Sequence, residues 1–451
     1  MRKRSNEIDM LHGPLAGKIF MFALPLAASS VLQQLFNAAD LAVVGRFTNA
    51  KCMAAVGSNA SVIGLLVNLF VGLSVGANVL IANLVGRGER DRIGDAVHTI
   101  VTLALVAGVT ILLLGILLAR PILTLMGAPK DVIDLAVIYL RIYFCGMPVI
   151  MLYNYGSAIL RSRGDSKRPF LALTLAGVLN VLLNLLFVIV FKLHVIGVAL
   201  ATVLSNCLSG GLVLYFLIKE DGEFHVDIRH LYIVKEYVLR VVKIGLPAGI
   251  QGTVFSLSNV VIQSAINSFG TACIAGMTAS QNFDFISYCM TNAFAQAAVT
   301  FTSQNYGAGN EKRCKQVWRL SMLMGLGIDI VLIAIMMLLR GTIIQIFTTD
   351  PEVIEFAMVR FIYAISLHFI CGSYEITGGA LRGLNRSMVP AIISILGSCA
   401  VRLLYIGLWF PAHRSIENLI MVYPFSWIIT TICMQTAYFI VRKKAFRTIS
   451  Q

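Results

Sequence analysis

Charge is scarce in this chain. Asp, Glu, Lys and Arg together make 13% of its 451 residues, about half the roughly 25% of an average soluble domain. That scarcity excludes a soluble enzyme, whose shell needs polar groups to face water. It also leaves no room for intrinsic disorder, which requires low hydrophobicity and high net charge. The nine cysteines are scattered, mostly in apolar stretches, with no C-x-x-C pair, so neither a disulfide framework nor a zinc site is indicated. They are expected to be small buried hydrophobes. A phosphate-binding G-x-x-x-x-G-K-[ST] loop is missing, which excludes a nucleotide-driven pump within the chain. H-E-x-x-H, G-x-S-x-G and clustered acidic motifs are missing too, and the seven histidines are dispersed. No enzyme, metal centre or cofactor is expected.

What the chain has is apolar sequence. Hydrophobic residues make 58%, with a mean hydropathy of +0.82, and about 20 apolar residues suffice for one membrane span. Apolar runs fall at about 15–44, 53–83, 94–119, 132–159, 169–191 and 196–218, then at about 241–269, 275–304, 316–339, 353–379, 389–411 and 417–441. These are too long and too uniform for barrel strands. An all-α membrane protein with twelve transmembrane helices is expected. The opening MRKRSNE resembles the basic start of a signal peptide, but the run that follows is long and lacks a small-residue cleavage site, so it is read as a retained first span.

The net charge of +14 does not point to nucleic acid, because its basic residues sit in short clusters between the runs. With the N-terminus inside, 25 of the 36 Lys and Arg fall in inner segments and seven, including Lys130, in outer loops. The inner clusters begin with Arg2, Lys3 and Arg4. This bias places both termini in the cytoplasm, in a chain that meets membrane lipids in the cell (plasma) membrane.

The chain repeats itself. Leu24-Pro25 recurs as Leu246-Pro247 at an offset of 222, while Gly86-x-Gly88 recurs as Gly307-x-Gly309 at 221. LRSRGDSKRP (160–169) recurs as LRGLNRSMVP (381–390), also at 221. The expected organisation is a six-helix half over 1–218, a cytoplasmic linker over 219–240 and a second six-helix half over 241–451. Six spans per half give both halves the same orientation. Two bundles related by a pseudo-two-fold along the membrane normal, with a central site, follow.

Ionisable groups inside apolar runs are costly and point to function. Gln33, Asn37 and Asp40 form one polar stripe at i, i+4 and i+7 late in the first span. Asn180 and Asn184 share a face of the fifth span, and the sixth offers Thr202. A carboxylate, two amide oxygens and a hydroxyl are hard donors that suit Na⁺, and the carboxylate alone suits a proton. Helix–helix hydrogen bonding is the alternative role for Asn180, Asn184 and Thr202. In the second half Gln281, Asp284, Tyr288 and Thr291 share a face, Glu375 follows Tyr374, and Asp329 lies mid-span. Arg141, Arg360 and Arg402 are candidates to neutralise these acids, and a buried pair kept for packing is the alternative role for Asp284 and Glu375. Ser256, Asn259, Gln263 and Asn267 form an uncharged stripe in the seventh span. Across the repeat, Asp40 falls on Val261 or Ile262, Asp284 on Ile63 or Val62, and Asn180 on Val401 or Arg402; Glu375 meets Asn154. The fold is duplicated and the acids are not, which favours function over scaffolding.

Together, the Leu-Pro and NAADLAVVGR of the first span, LRSRGDSKRP, TSQNYGAGN and LRGLNRS resemble the multidrug and toxic compound extrusion (MATE) transporters over essentially the whole chain. The similarity is greatest to bacterial branches related to DNA-damage-inducible protein F and to Gram-positive multidrug exporters. The resemblance implies a monomer that exports small cationic or amphipathic molecules in exchange for Na⁺ or H⁺, with no other cofactor. It further implies a first-half cation site at Asp40, Asn180, Asn184 and Thr202. Where some archaeal relatives carry a second acid this chain has Asn184, and where others carry a glutamate eight residues after the seventh-span proline it has Phe255. That second-half site is therefore not carried over. Asp284 and Glu375, with Gln281, Asn259, Gln263, Asn37 and Gln33, remain candidates for substrate or a second ion. A lipid-linked sugar flippase of the same superfamily would show extra spans and an Arg-rich cavity. A channel would carry flux that neither saturates nor depends on a counter-ion, and a membrane-embedded enzyme would need a paired catalytic constellation.

Overall fold

The computed structural model describes residues 7–48, 50–126 and 132–447. Arg2, Lys3, Arg4 and Lys130 of the charge argument lie outside them. Among the described residues the regular elements are all helical, with no strand, and the chain divides into two compact units.

The first unit comprises residues 1–8 and 28–246. It holds most of α1 (Leu15–Phe47), then α2 (Ala50–Arg87), α3 (Arg90–Leu125), α4 (Ile133–Cys145), α5 (Met147–Ser162), α6 (Lys167–Leu185) and α7 (His194–Ile218). α4 and α5 form one span bent by 46°, at Gly146 and with Pro148 in the first turn of α5. There the proline ring removes a backbone donor. The second unit comprises residues 9–27 and 247–451. It contains most of α8 (Lys235–Asn267), then α9 (Thr271–Gly307), α10 (Glu311–Gln345), α11 (Pro351–Tyr363), α12 (His368–Gly383), α13 (Met388–Ser394), α14 (Val401–Leu404), α15 (Ile416–Ile420) and α16 (Val422–Arg447). α11 and α12 repeat the broken span, joined by a 3₁₀ turn at Ile365–Leu367.

Among the described residues ten helices are long and apolar enough to cross a membrane, and the bent α4–α5 pair makes an eleventh. α9 is the remaining long helix, 37 residues, and it falls short only in hydropathy. Its C-terminal half is buried against α10 and α12 of its own unit, from Ala293 to Tyr306 almost without interruption. A helix that faces protein does not need a lipid-compatible surface, so Thr300, Thr302, Ser303, Gln304 and Asn305 are tolerated there.

Close backbone approach is how these helices pack, since lipid supplies no hydrophobic drive between them. A Cβ on Gly379 of α12 would stand 2.4 Å from the Ala295 carbonyl of α9, and one on Gly383 would stand 2.7 Å from that of Val299. In the first unit, a Cβ on Gly76 of α2 would stand 2.2 Å from the carbonyl oxygen of Val241.

The unit boundaries fall inside α1, shortly after Pro25, and inside α8, at Leu246–Pro247. The segment 219–246 thus packs with the first unit. Its anchor is Glu220, which accepts from Arg163 at 2.5 Å and also from Arg168. Arg163 further pairs with Glu7 and lies 4.6 Å from the Phe224 ring centroid. Tyr232 donates to Asp95 at 2.6 Å, and the Val234 amide donates to Thr99 at 3.0 Å.

Candidate functional site

In the first unit, α6 brings Asn180 and Asn184 onto one face because they are one helical turn apart. Both are buried. The Asn184 amide Nδ2 donates to Asp40 Oδ1 of α1 and, at 3.2 Å, to Asn180 Oδ1. Asn184 Oδ1 is buried with no hydrogen-bond partner. The Asn184 amide thus bridges the Asp40 carboxylate of α1 and the Asn180 amide oxygen of α6, and its own oxygen is left without a partner. Immediately after Asn184, α6 loosens into a π-helical turn over Leu186–Val190, a distortion that recurs at functional positions in helices. Tyr139 of α4, buried, lies within electrostatic reach of Asp40; nothing in the sequence pattern marked it.

Thr202 sits on α7 with its hydroxyl donated to the Val198 carbonyl of its own helix at 3.0 Å. Gln33 and Asn37 are exposed, and neither joins the Asp40–Asn184 hydrogen bonds.

The second unit pairs two of its intramembrane acids. Asp284 of α9 accepts from Arg360 of α11, with Nε and Nη2 both 2.6 Å from Oδ2. Asp284 Oδ1 is buried and unpartnered. Asp329 of α10 pairs with His368 of α12 at 3.1 Å, a partner that sequence spacing gave no sign of. Of the three expected neutralising arginines, only Arg360 meets an acid among these candidates. Arg402 is fully buried, donates to Ser426 at 3.0 Å and Asn259 at 3.2 Å, and lies 4.8 Å from the ring centroids of both Phe255 and Tyr423. Arg141 donates to the Ile116 carbonyl at 3.2 Å. Glu375 is half-buried on α12, within reach of the charges of Arg382 and His368. Gln281 is exposed on α9. Gln263 donates to Asn267 at 2.9 Å along α8, so half of that uncharged stripe is satisfied within itself.

The model of the MatE family matches residues 25–186 and again 247–406. The chain belongs to the MatE family. The two matched stretches begin at the two prolines of the repeat, so the duplication read in the sequence is that of the family. MatE proteins are transporters, not enzymes. The chain is 28% identical over 430 residues to the probable multidrug resistance protein YoeA of Bacillus subtilis, covering 90% of this chain and 93% of that one. It is 27% identical over 399 residues to the probable multidrug resistance protein NorM of Thermotoga maritima, with 86% and 84% covered. Among solved structures, a multidrug resistance MATE transporter of the MOP superfamily in its outward-facing conformation superposes with a TM-score of 0.90 at 21% identity, over 99% of this chain and 100% of that one. The fold is thus the MATE fold of twelve helices in two bundles.

Proposed function

We propose that this MatE chain is a secondary active multidrug efflux antiporter. It exports cationic or amphipathic small molecules in exchange for Na⁺ or H⁺, as a monomer in the plasma membrane with both termini cytoplasmic. The convergence of Asp40, Asn184 and Asn180 carries this reading. A carboxylate placed against lipid-facing helices is expensive, and here it is met by an amide whose own oxygen has no partner.

The chemistry follows from the donors. A desolvated Na⁺ needs hard oxygens, and the Asp40 carboxylate with the amide oxygens of Asn184 and Asn180 supplies them. A proton needs only the carboxylate. Either ion removes the negative charge of Asp40 and so weakens its hold on the Asn184 amide, which couples ion binding to the α1–α6 contact. An ion entering from outside that binds one conformation better shifts the population toward the state releasing substrate outward. Names of relatives support the multidrug substrate class.

The test is efflux of tetraphenylphosphonium, a lipophilic cation, from proteoliposomes holding the full chain. Sodium and proton gradients are imposed in turn. Saturable flux that follows one gradient is expected; flux that neither saturates nor responds to a counter-ion would indicate a channel instead.

A further inference from the structure

The geometry points to a second proton-binding site, in the second unit, formed by His368 and Asp329 and loaded and emptied during transport. Resting on the antiporter reading above, it adds where a second-half ion is held and which ion it is.

Asp329 is wholly buried and His368 almost so. Nδ1 of the imidazole stands 3.1 Å from Asp329 Oδ2, while Oδ1 has no partner. Trp427 of α16 meets the imidazole edge-on, 5.8 Å between centroids, and its indole Nε1 is likewise buried without a partner. An unfilled acceptor and an unfilled donor flank one titratable pair, which is not how a purely structural polar contact is finished. Cys371, one turn along α12, lies beside His368 and donates to Tyr374 at 3.3 Å. Glu375 follows, within reach of the His368 charge, with Tyr288 of α9 and Arg382 near it and Arg402 near Tyr374. Titratable groups thus run in sequence from Asp329 toward Glu375.

The duplication supplies an internal control. At the offset of 221, Asp329 corresponds to Gly108 and His368 to Met147. In the first unit that same crossing of the third helix on the broken span is closed by backbone contact. A Cβ on Gly108 would stand 2.4 Å from Pro148 Cα and 3.2 Å from the Met147 carbonyl. The crossing therefore forms without an ion pair. A buried pair that the architecture does not require, at the break between α11 and α12, is best explained by what it binds. Imidazole is the side chain whose charge changes most readily near neutral pH.

Trp427 is the reporter. With Trp318 and Trp409 replaced by phenylalanine, it is the one indole left of three, and an adjacent imidazolium quenches it. Its emission in proteoliposomes should fall as the imidazole takes up its proton on acidification, and His368→Gln should abolish that titration. Tetraphenylphosphonium at about ten times its half-saturating concentration should move the midpoint about one unit lower, since proton and cation compete. Emission independent of pH, or a midpoint that the cation leaves in place, overturns the site. Should the phenylalanine variants not fold, ¹⁵N-histidine spectra of the unsubstituted chain give the same answer. The resonance absent in His368→Gln must titrate and must respond to the cation. Failure of the antiporter reading is separate and shows as no gradient-driven efflux by the unsubstituted protein.

Discussion

Breaking the Asp284–Arg360 pair from one side should cost far more than removing both charges. Their side chains are 16% and 7% exposed, and both guanidinium nitrogens converge on a single carboxylate oxygen at 2.6 Å. Arg360→Met leaves a buried carboxylate with neither countercharge nor donor, because Oδ1 already lacks one. Loss of one partner of such a pair costs about 3–5 kcal/mol. Asp284→Asn strands the arginine in the same way, with the Tyr423 ring 5.3 Å from its guanidinium as the main compensation. The double variant buries no charge and should lie within about 1 kcal/mol of the parent. The coupling between the two positions is then at least about 3 kcal/mol. For a unit of this size the loss of about 3–5 kcal/mol corresponds to a fall in Tm of roughly 6–20 °C for Arg360→Met, recovered in the double variant. Thermal unfolding in detergent, followed by tryptophan emission, reads all four proteins. Additive effects would refute the reasoning and free Asp284 to act as an unpaired ligand.

Two further outcomes follow from the packing and the cytoplasmic cluster. Gly76→Ala should lower thermal stability by about 1–3 kcal/mol, because its Cβ would stand 2.2 Å from backbone that cannot rotate away; an unchanged Tm would show that the α2–α8 crossing is looser than it looks. Burial alone would push the Glu220 carboxyl up, but the hydrogen bonds and charges of Arg168 and Arg163 outweigh it and hold the group below the usual glutamate range. Its contribution is therefore complete above the unfolded value of about 4.3 and is lost as pH falls below it. Stability measured from about pH 6 down to about pH 3 should drop more steeply for the parent than for Glu220→Gln, and parallel curves would contradict this.

The fold was legible because lipid allows so few structures. Long apolar runs, prolines and a repeat at 221–222 define twelve helices, and the one that hydropathy under-reports, α9, is polar because its neighbours are protein. Asp40, Asn180 and Asn184 could be read as a group, since helical spacing puts the two amides on one face and only a few carboxylates interrupt the spans. Partners from different helices were harder. Arg360 was anticipated as a countercharge for an acid, but Asp329 and His368 are 39 residues apart and no local period connects them. Arg402 looked like another countercharge, yet two aromatic rings and two neutral acceptors take that place, an arrangement visible only once α8, α14 and α16 are packed. The charged stretch 219–240 read as a linker, and it packs with the first unit because Glu220 finds Arg163 and Arg168 some 50 residues earlier.

The central claim is that Asp40 carries the coupling ion. Asp40→Asn keeps the volume and an oxygen able to accept from Asn184, so the α1–α6 contact survives at a cost of about 1 kcal/mol. Tetraphenylphosphonium efflux by Asp40→Asn in proteoliposomes, driven by whichever gradient drives the parent, is the measurement. Loss of gradient-driven efflux from a protein that elutes like the parent and melts within about 4 °C of it is the predicted result. Efflux at the parental rate would contradict the account.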